Sequence, residues 1–497
     1  MLTLETLAPE PAVETPRSSD HRSTGYRWGV VAWAAALVVL LTVALAIGRN
    51  VVQVTDSLVP ILEVQGPSVW HVFASKVNET GFSRPLYYVA TRLLFDLSPG
   101  HHFLAFKAFN IASLGALFVL FLRVTRVRTK NDVYAFLFAL MVLIGMRTFL
   151  GTVWEGYPIN HYLEIAVFCM AALALSDSRG GGFADVSAPL LFCVASLTLE
   201  SGLLVWVVLV VARLVGLRGV SWKSIGVTTA LLAAYMVLRF GVLGIGVPDV
   251  AERATGYGFA RIEPDEIRAR FVATGHLHYF YLYNVASAFA SIFLSDPTNG
   301  TWELTGRAWR GTANPVVATY AISALVATGL LVWYGAARWR DWMARRFTRS
   351  DQLVLIALAV VAGNAAICFG YVKDEVMSTA GVFYALAVFA AAREAVARWE
   401  RLPRAPLVNA ALAIVVFAGS ASWTIRATAL HYQLLRIGAS DRIEWAHVDE
   451  WLARQDKKPS SEHDARLVAE LQVEAMNTRP LSLLYVPRWA TRWFSAP

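Results

Sequence analysis

Charge is what this sequence is short of. Only 16% of its 497 residues are Asp, Glu, Lys or Arg, whereas 56% are hydrophobic and the mean hydropathy is +0.49. That balance excludes a chain wrapped around a single core in water and points to solvation by lipid. Cysteine is scarce as well. Cys169, Cys193 and Cys368 all lie inside apolar runs without metal-ligand spacing, which leaves packing as their role. No internal repeat and no Gly-rich phosphate loop interrupts the chain. The net charge of +8 does not mark a nucleic-acid binder, because Lys and Arg cluster in short loops between apolar runs, where membrane orientation accounts for them.

What is present is a succession of apolar stretches long enough to cross hydrocarbon, from Trp28 to Trp423. A span takes about 20 such residues, and only helices of that length satisfy every backbone group in lipid. The candidates are Trp28–Gly48, His102–Leu122, Val133–Leu150, Ile159–Leu175, Val186–Leu199, Leu203–Gly216, Ile225–Gly246, Pro315–Gly335, Leu353–Tyr371, Ser378–Ala392 and Pro406–Trp423. Val186–Gly216 reads as a hairpin of short helices, and His276–Leu294 as a helix embedded at the outer face. The expected fold is therefore all-α, a polytopic integral membrane protein with about 11–13 transmembrane helices. Residues 1–27, with several prolines and mixed charges, read as a disordered cytosolic tail ahead of a retained first span.

Alternate threading of the spans puts Arg123–Lys130, Arg213–Lys223, Arg338–Arg349 and Arg393–Arg404 on one side with the N-terminus. Short basic loops mark that side as cytosolic. The transmembrane domain, residues 28–423, then presents outer loops 49–101 and 247–314, and residues 424–497 form a small helical extracytoplasmic tail. Within that tail Arg442–Arg454 is amphipathic, with Ile443, Trp445, Val448 and Trp451 at helical spacing.

The outer face carries the unusual residues. Asp56 stands just past the first span, where reduced dielectric raises a carboxylate's pKa and suits it to proton abstraction; a polar residue at a membrane interface reads the same way. Arg84 precedes Pro85 and opens Arg84–Leu97, whose Leu86, Ala90, Leu93, Leu94 and Leu97 share a face that should lie along the outer surface before His101-His102; a snorkelling anchor is the alternative role for Arg84. Glu155 lies in the short polar and aromatic loop Trp154–Glu164, either meeting Asp56 across a cavity or standing in an aromatic belt. Glu164 lies deeper and needs an internal partner. Glu200 sits at the apex of the short hairpin, where a carboxylate is costly unless paired or hydrated, as a site residue or as helix-packing glue. Lys373, in Tyr371-Val372-Lys373-Asp374-Glu375, can neutralise an anionic headgroup or simply serve a solvated connector.

In their order along the chain these pieces resemble the GT-C superfamily of membrane glycosyltransferases, the protein mannosyltransferase-like enzymes that use polyprenyl-phosphate sugars. The similarity runs from about Trp28 to Trp423. Thr55-Asp56 stands where that family has an acid, often an acidic pair, after its first span. Trp70-His71-Val72-Phe73 and Arg84-Pro85-Leu86 resemble its aromatic patch and Arg-Pro-Leu turn, and His101-His102 its His before the second span. Glu155 falls where a second outer-face acid occurs. Leu197-Thr198-Leu199-Glu200-Ser201 is similar to its Ser-Lys-Glu hairpin without the Lys, and Lys373-Asp374-Glu375 to an acidic-Arg-Tyr segment with Lys for Arg and no Tyr.

The resemblance implies an inverting transferase that moves a hexose or pentose from a polyprenyl-phosphate-linked donor to a hydroxyl on a glycan, lipid or protein acceptor at the outer face of a cell membrane, a bacterial inner membrane in a cell-envelope setting. Asp56 and Glu155 would be catalytic, Arg84 and Lys373 would hold the donor phosphate, and His101, His102, Glu200, His276 and His278 would line the cavity. No cofactor is required outright, although Glu155 beside Asp56 would allow a divalent Mg or Mn ion; the single acid at Asp56 counts against one. A transporter or lipid flippase is the other class considered, and it predicts repeats and mid-membrane charges rather than polar groups gathered at one face.

Overall fold

The structure, a computed structural model, describes residues 19–77, 84–154, 156–244, 256–294, 296–297, 300–311, 315–401, 406–454, 461–482 and 486–495. Residues 1–18 of the expected tail, Phe82, Ser83 and Glu155 lie outside them. Apart from one two-stranded ribbon, Gly256–Tyr257 with Arg261–Ile262, every regular element described is helical.

The chain opens with α1 (Ser19–Arg49), which begins well before Trp28, so the end of the expected tail is helical. Three short helices follow at one end of the bundle, α2 (Val54–Glu63), α3 (Val69–Val77) and α4 (Pro85–Asp96). The long α5 (His102–Thr125) leads to α6 (Lys130–Gly145) and α7 (Arg147–Val153). A straight span over Val133–Leu150 is not what forms: α6 and α7 meet at 77°, the break falling beside Arg147, whose charge cannot continue an apolar span. Next come α8 (His161–Ser176), α9 (Gly182–Thr198), α10 (Leu204–Leu214) and α11 (Trp222–Met236), the last prolonged by a π-turn over Val237–Val242. Beyond α12 (Pro264–Ile267) lie α13 (Leu277–Leu294), α14 (Thr301–Trp309), α15 (Pro315–Met343), α16 (Arg349–Ile367) and α17 (Ser378–Trp399). The chain ends with α18 (Pro406–Ala446), α19 (Val448–Arg454), α20 (Glu462–Asn477) and α21 (Arg488–Ser495).

Eight described helices are long and apolar enough to cross a membrane, nine with the bent α6–α7 pair, which makes this a polytopic membrane protein. The sequence-based eleven exceeds that number because α8, α9 and α10 have only 16, 17 and 11 residues. Conversely α13, expected as an embedded helix, has the length and composition of a span. The Val186–Gly216 hairpin forms as expected, with a 3₁₀ turn, Glu200–Leu203, at its apex.

At the centre stands α17. From Ser378 to Ala392 it is buried on all sides, packed by α16, α6, α15, α8 and α7. Its Ser, Thr, Ala and Gly residues let those helices approach closely, which is how helices associate in lipid without a hydrophobic driving force.

The two ends of the bundle differ. At one end all four basic loops meet. Asp177 binds Arg126 at 2.7 Å and Arg349 at 2.8 Å, Arg393 binds Asp132 at 3.2 Å, and Gln352 donates to the Val215 carbonyl. Gly29 of α1 faces the Val127 carbonyl there. Helices start cleanly at this end: Thr129 with Asp132 and Thr348 with Asp351 form reciprocal capping boxes, each satisfying backbone donors that would otherwise be orphaned.

At the other end a second apolar core joins α2, α4 and the start of α5 to the C-terminal helices through Leu58, Tyr87, Phe106, Trp445, Val448 and Leu471. Trp445 also donates to the Val52 carbonyl at 2.6 Å. The C-terminal segment is thus helical and docked on the first outer loop, but it does not start afresh after Trp423, since α18 continues unbroken to Ala446. Its amphipathic face is shifted by the same packing: Trp445, Val448 and Leu452 are buried while Ile443 is exposed. In α4 the buried row is Tyr87, Thr91 and Phe95, and Leu93 and Leu97 face outward, so the leucine face is not the one the protein covers.

Candidate functional site

At the end opposite the basic loops, a cavity of about 750 Å³ is lined by Asp56, Arg84, Glu200 and Lys373. Four segments far apart in the chain bring them there.

Asp56 lies in the first turn of α2, whose Val54, Leu58 and Ile61 are buried. The neighbouring Ser57 hydroxyl donates to the Gly156 carbonyl at 3.0 Å, fastening α2 to the 154–160 loop. That loop is held in turn by Asn160, which caps α8 through Leu163 N–H and donates to the carbonyls of Gly151 and Trp154, while its own N–H donates to Asn110 of α5. Burial raises the Asp56 carboxyl above its ordinary 3.8, and the cations Lys373 and Arg84 partly oppose the rise. Glu155 itself is outside the described residues, although its neighbours Trp154 and Gly156 line the cavity.

Glu200 heads the 3₁₀ turn between α9 and α10 and has the partners such a carboxylate needs. Its Oε2 lies 3.7 Å from Arg84 Nε and its Oε1 3.2 Å from Arg239 Nη1, and Arg239 also donates to the Tyr235 hydroxyl at 2.8 Å. The turn fits only because residue 202 is glycine: a Cβ there would overlap the backbone of Ala195. Lys373 stands above the Trp154 ring, with Nζ 4.9 Å from its centroid. The segment carrying Lys373 is anchored on both sides. Asp374 accepts from the Thr301 N–H and hydroxyl at 3.0 and 2.9 Å, and Glu375 pairs with Arg147 at 2.9 Å.

Helix irregularities concentrate around this cavity. The 77° bend before α7, the 3₁₀ turn at Glu200, the π-turn carrying Arg239 and the 3₁₀ turn Asp374–Met377 each supply lining residues or the partner of one. Non-helical backbone at membrane depth is tolerated where it lines a polar space, and 3₁₀ and π distortions are enriched at functional sites. The remaining wall is aromatic and apolar, including Tyr157, Tyr162, Tyr371, Leu203 and Phe240. The cavity therefore offers cations, carboxylates, flat rings and an apolar flank in one volume.

Not every expected residue is there. His101 is the exposed N-cap of α5, and His102 is buried against Phe95, their rings stacked 3.7 Å apart, so the pair serves helix packing away from the cavity. His276 and His278 are exposed beside Tyr279 and do not line it either. Conversely, Arg239 and the Arg147–Glu375 pair were not among the sequence candidates. Arg239 carries a visible signal, being the lone charge in Ile225–Gly246, and Arg147 is the lone charge in Val133–Leu150. Among the described residues no three His, Cys, Asp or Glu side chains come together as a metal site needs, and Glu155, on which the expected ion rested, lies outside them.

Searches of family models, of curated proteins and of solved structures return no match to this chain.

Proposed function

We propose that the chain is a membrane glycosyltransferase of the GT-C kind, transferring a sugar from a polyprenyl-phosphate donor to an acceptor hydroxyl. One observation carries this reading: Asp56, Arg84, Glu200 and Lys373, marked out by the chemistry of their sequence surroundings, line a single cavity. With the basic loops cytosolic, that cavity opens at the extracytoplasmic end of the bundle. The lipid chain of the donor would lie along the outer part of α11 and its π-turn, where Val237, Phe240 and Val242 are exposed. Glycan, lipid and protein acceptors all present the required hydroxyl.

In the transfer, Asp56 takes the proton of the acceptor hydroxyl as its oxygen attacks the anomeric carbon. The bond from that carbon to the phosphate oxygen breaks, the electron pair leaves with the polyprenyl phosphate, and the configuration inverts. Arg84 and Lys373, with Arg239 behind Glu200, stabilise the charge that grows on the departing phosphate. A raised pKa makes Asp56 a stronger base while leaving it ionised above that pKa. The Tyr157, Tyr162 and Trp154 rings suit the flat faces of a sugar.

The test is Asp56→Asn in proteoliposomes supplied with polyprenyl-phosphate sugars. Transfer should fall by about 10²- to 10⁴-fold, the usual contribution of a positioned base. Because the fold raises the Asp56 pKa, it favours the protonated carboxyl and loses that advantage as pH rises through the raised value. The neutral amide therefore leaves the unfolding midpoint at neutral pH unchanged or higher. Full transfer in this variant refutes the assignment, and uptake or flipping of lipid without any acceptor favours a transporter instead.

A further inference from the structure

A second cavity, of about 400 Å³, lies at the opposite end of the bundle among the basic loops, lined by Arg126, Arg128, Arg349 and Arg393 together with Asp132. Its charges do not balance. The four guanidinium groups face two carboxylates: Asp177 is shared by Arg126 and Arg349, and Asp132 binds Arg393 while also accepting the N–H groups of Arg128 and Thr129. Arg128's side chain has no partner among the described residues, and Nε and Nη1 of Arg349 are buried without an acceptor. Glu400, bonded to the lining Asn131 at 2.7 Å, is a third carboxylate at the rim, which still leaves positive charge in excess, with donors in place for an anion that would complete the cluster.

We infer that this pocket binds the phosphate of an anionic phospholipid headgroup. Its depth favours lipid over a soluble anion. Arg126 caps α5, Arg128 lies in the loop that follows it, Arg349 opens α16 and Arg393 stands in the last two turns of α17; these three helices have the length of membrane spans, so the pocket lies where they leave the hydrocarbon. Apolar surface continues from it toward the membrane centre: Val119, two turns before Arg126 on α5, and Tyr134, one turn into α6, are both exposed and offer a path for acyl chains. The site joins four helices otherwise linked by ion pairs through Asp177 and Asp132, so an occupant would tie together the adjoining ends of α5, α6, α16 and α17. It is independent of the chemistry assigned to the other cavity.

Native mass spectrometry of the full-length protein in detergent, titrated with phosphatidylglycerol, phosphatidylcholine or inorganic phosphate, tests this. Phosphatidylglycerol should bind in preference to phosphatidylcholine, and inorganic phosphate should displace it only at large excess. Arg128→Gln and Arg393→Gln should each weaken phosphatidylglycerol binding by about fivefold, the factor that ~1 kcal/mol per Lys or Arg at an anionic surface gives. Arg340→Gln, an exposed arginine at the same end but outside the pocket, should leave binding unchanged. Arg128 has no ion pair to lose, so its variant folds as the parent does and remains readable if Arg393→Gln does not. Equal binding by Arg128→Gln and the parent overturns the proposal. So does an Arg340→Gln loss as large as that of Arg128→Gln, which would mark diffuse surface attraction, and so does displacement by inorganic phosphate at concentrations equal to the lipid, which would mark a soluble ligand.

Discussion

Replacing Lys373 by methionine keeps an unbranched side chain of nearly the same length and removes its charge, and the proposed mechanism gives that charge two separable effects. The first is on the donor. An ammonium that contacts the departing phosphate forms a charge-assisted hydrogen bond, worth about 1.5–3 kcal/mol, so its loss should lower kcat/KM roughly 10- to 150-fold. The second is on the base. Asp56 must be ionised to accept the acceptor's proton, burial raises its pKa, and Lys373 is the largest influence holding that rise back. Without Lys373 the Asp56 pKa climbs further, so the acid limb of the pH profile moves to higher pH. The defect of Lys373→Met should therefore be greatest at low pH and shrink with rising pH to a plateau set by the phosphate contact alone. Lys373→Arg retains the charge and should leave the limb where it is.

The assay is release of polyprenyl phosphate from proteoliposomes across the pH range, with acceptor in excess. Folding is monitored in parallel, because the contact of Lys373 with Trp154 contributes at most ~2 kcal/mol and its loss should cost little stability. An acid limb that stays put or moves to lower pH in Lys373→Met refutes the coupling to Asp56. An unchanged plateau refutes the phosphate contact.

Glu200→Gln withdraws the carboxylate shared by Arg84 and Arg239, whose side chains are only 17% and 9% exposed. Its geometry lies between a surface pair and a fully buried one, so the loss should be roughly 1–3 kcal/mol in thermal or denaturant unfolding, and an unchanged midpoint would show that the clamp carries no structural weight. Gly151→Ala places a Cβ against the Ser378 hydroxyl and 2.7 Å from the Glu375 carbonyl oxygen, where the backbone must shift. Stability should drop by about 1–3 kcal/mol, and transfer should fall with it because the Lys373 segment is displaced; normal transfer in a destabilised variant would separate the two. At the basic end, the wholly buried Asp351 accepts from Tyr334, Arg338, Trp342 and Thr348, so Asp351→Ala should cost about 3–5 kcal/mol while leaving transfer per folded molecule unaltered, measured after quantifying folded protein by size exclusion.

The sequence was most informative where polarity interrupted a strong pattern. Asp56, Arg84, Glu200 and Lys373 each break an apolar stretch at its outer end, so their side of the molecule follows from span counting, and threading the basic loops placed all four on the face where the cavity lies. Their mutual contacts were not legible. That Glu200 sits between Arg84 and Arg239 depends on how the α9–α10 hairpin packs against α4 and α11, which a hydropathy pattern does not encode. The same limit explains the histidines. His102 and His276 are as polar on paper as Asp56, yet one stacks on Phe95 within a helix interface and the other lies in an exposed aromatic cluster, because an imidazole can be buried neutral or left in solvent at little cost. The bend at Met146 and the short α8 escaped for a related reason: apolar content signals burial without revealing whether lipid or protein supplies it.

That last ambiguity bears on why the larger polar cavity sits at one end. Helices whose outer turns face protein rather than lipid need not remain regular, and four of the segments that lose regularity here meet around the cavity, the π-turn Arg268–Val272 lying apart from it. At the basic end the opposite holds, with capping boxes starting α6 and α16 and ion pairs joining neighbouring loops. A charged residue near a regular end can reach water by snorkelling, whereas Glu200 and Glu375, set between packed helices, are met there by arginines. The distorted turns and the internal ion pairs therefore have one origin: a polar volume kept open inside an apolar bundle. Such a volume is expensive for a scaffold with no reaction or ligand to accommodate, and the Asp56→Asn and Lys373→Met measurements ask whether the proposed transfer is what it accommodates.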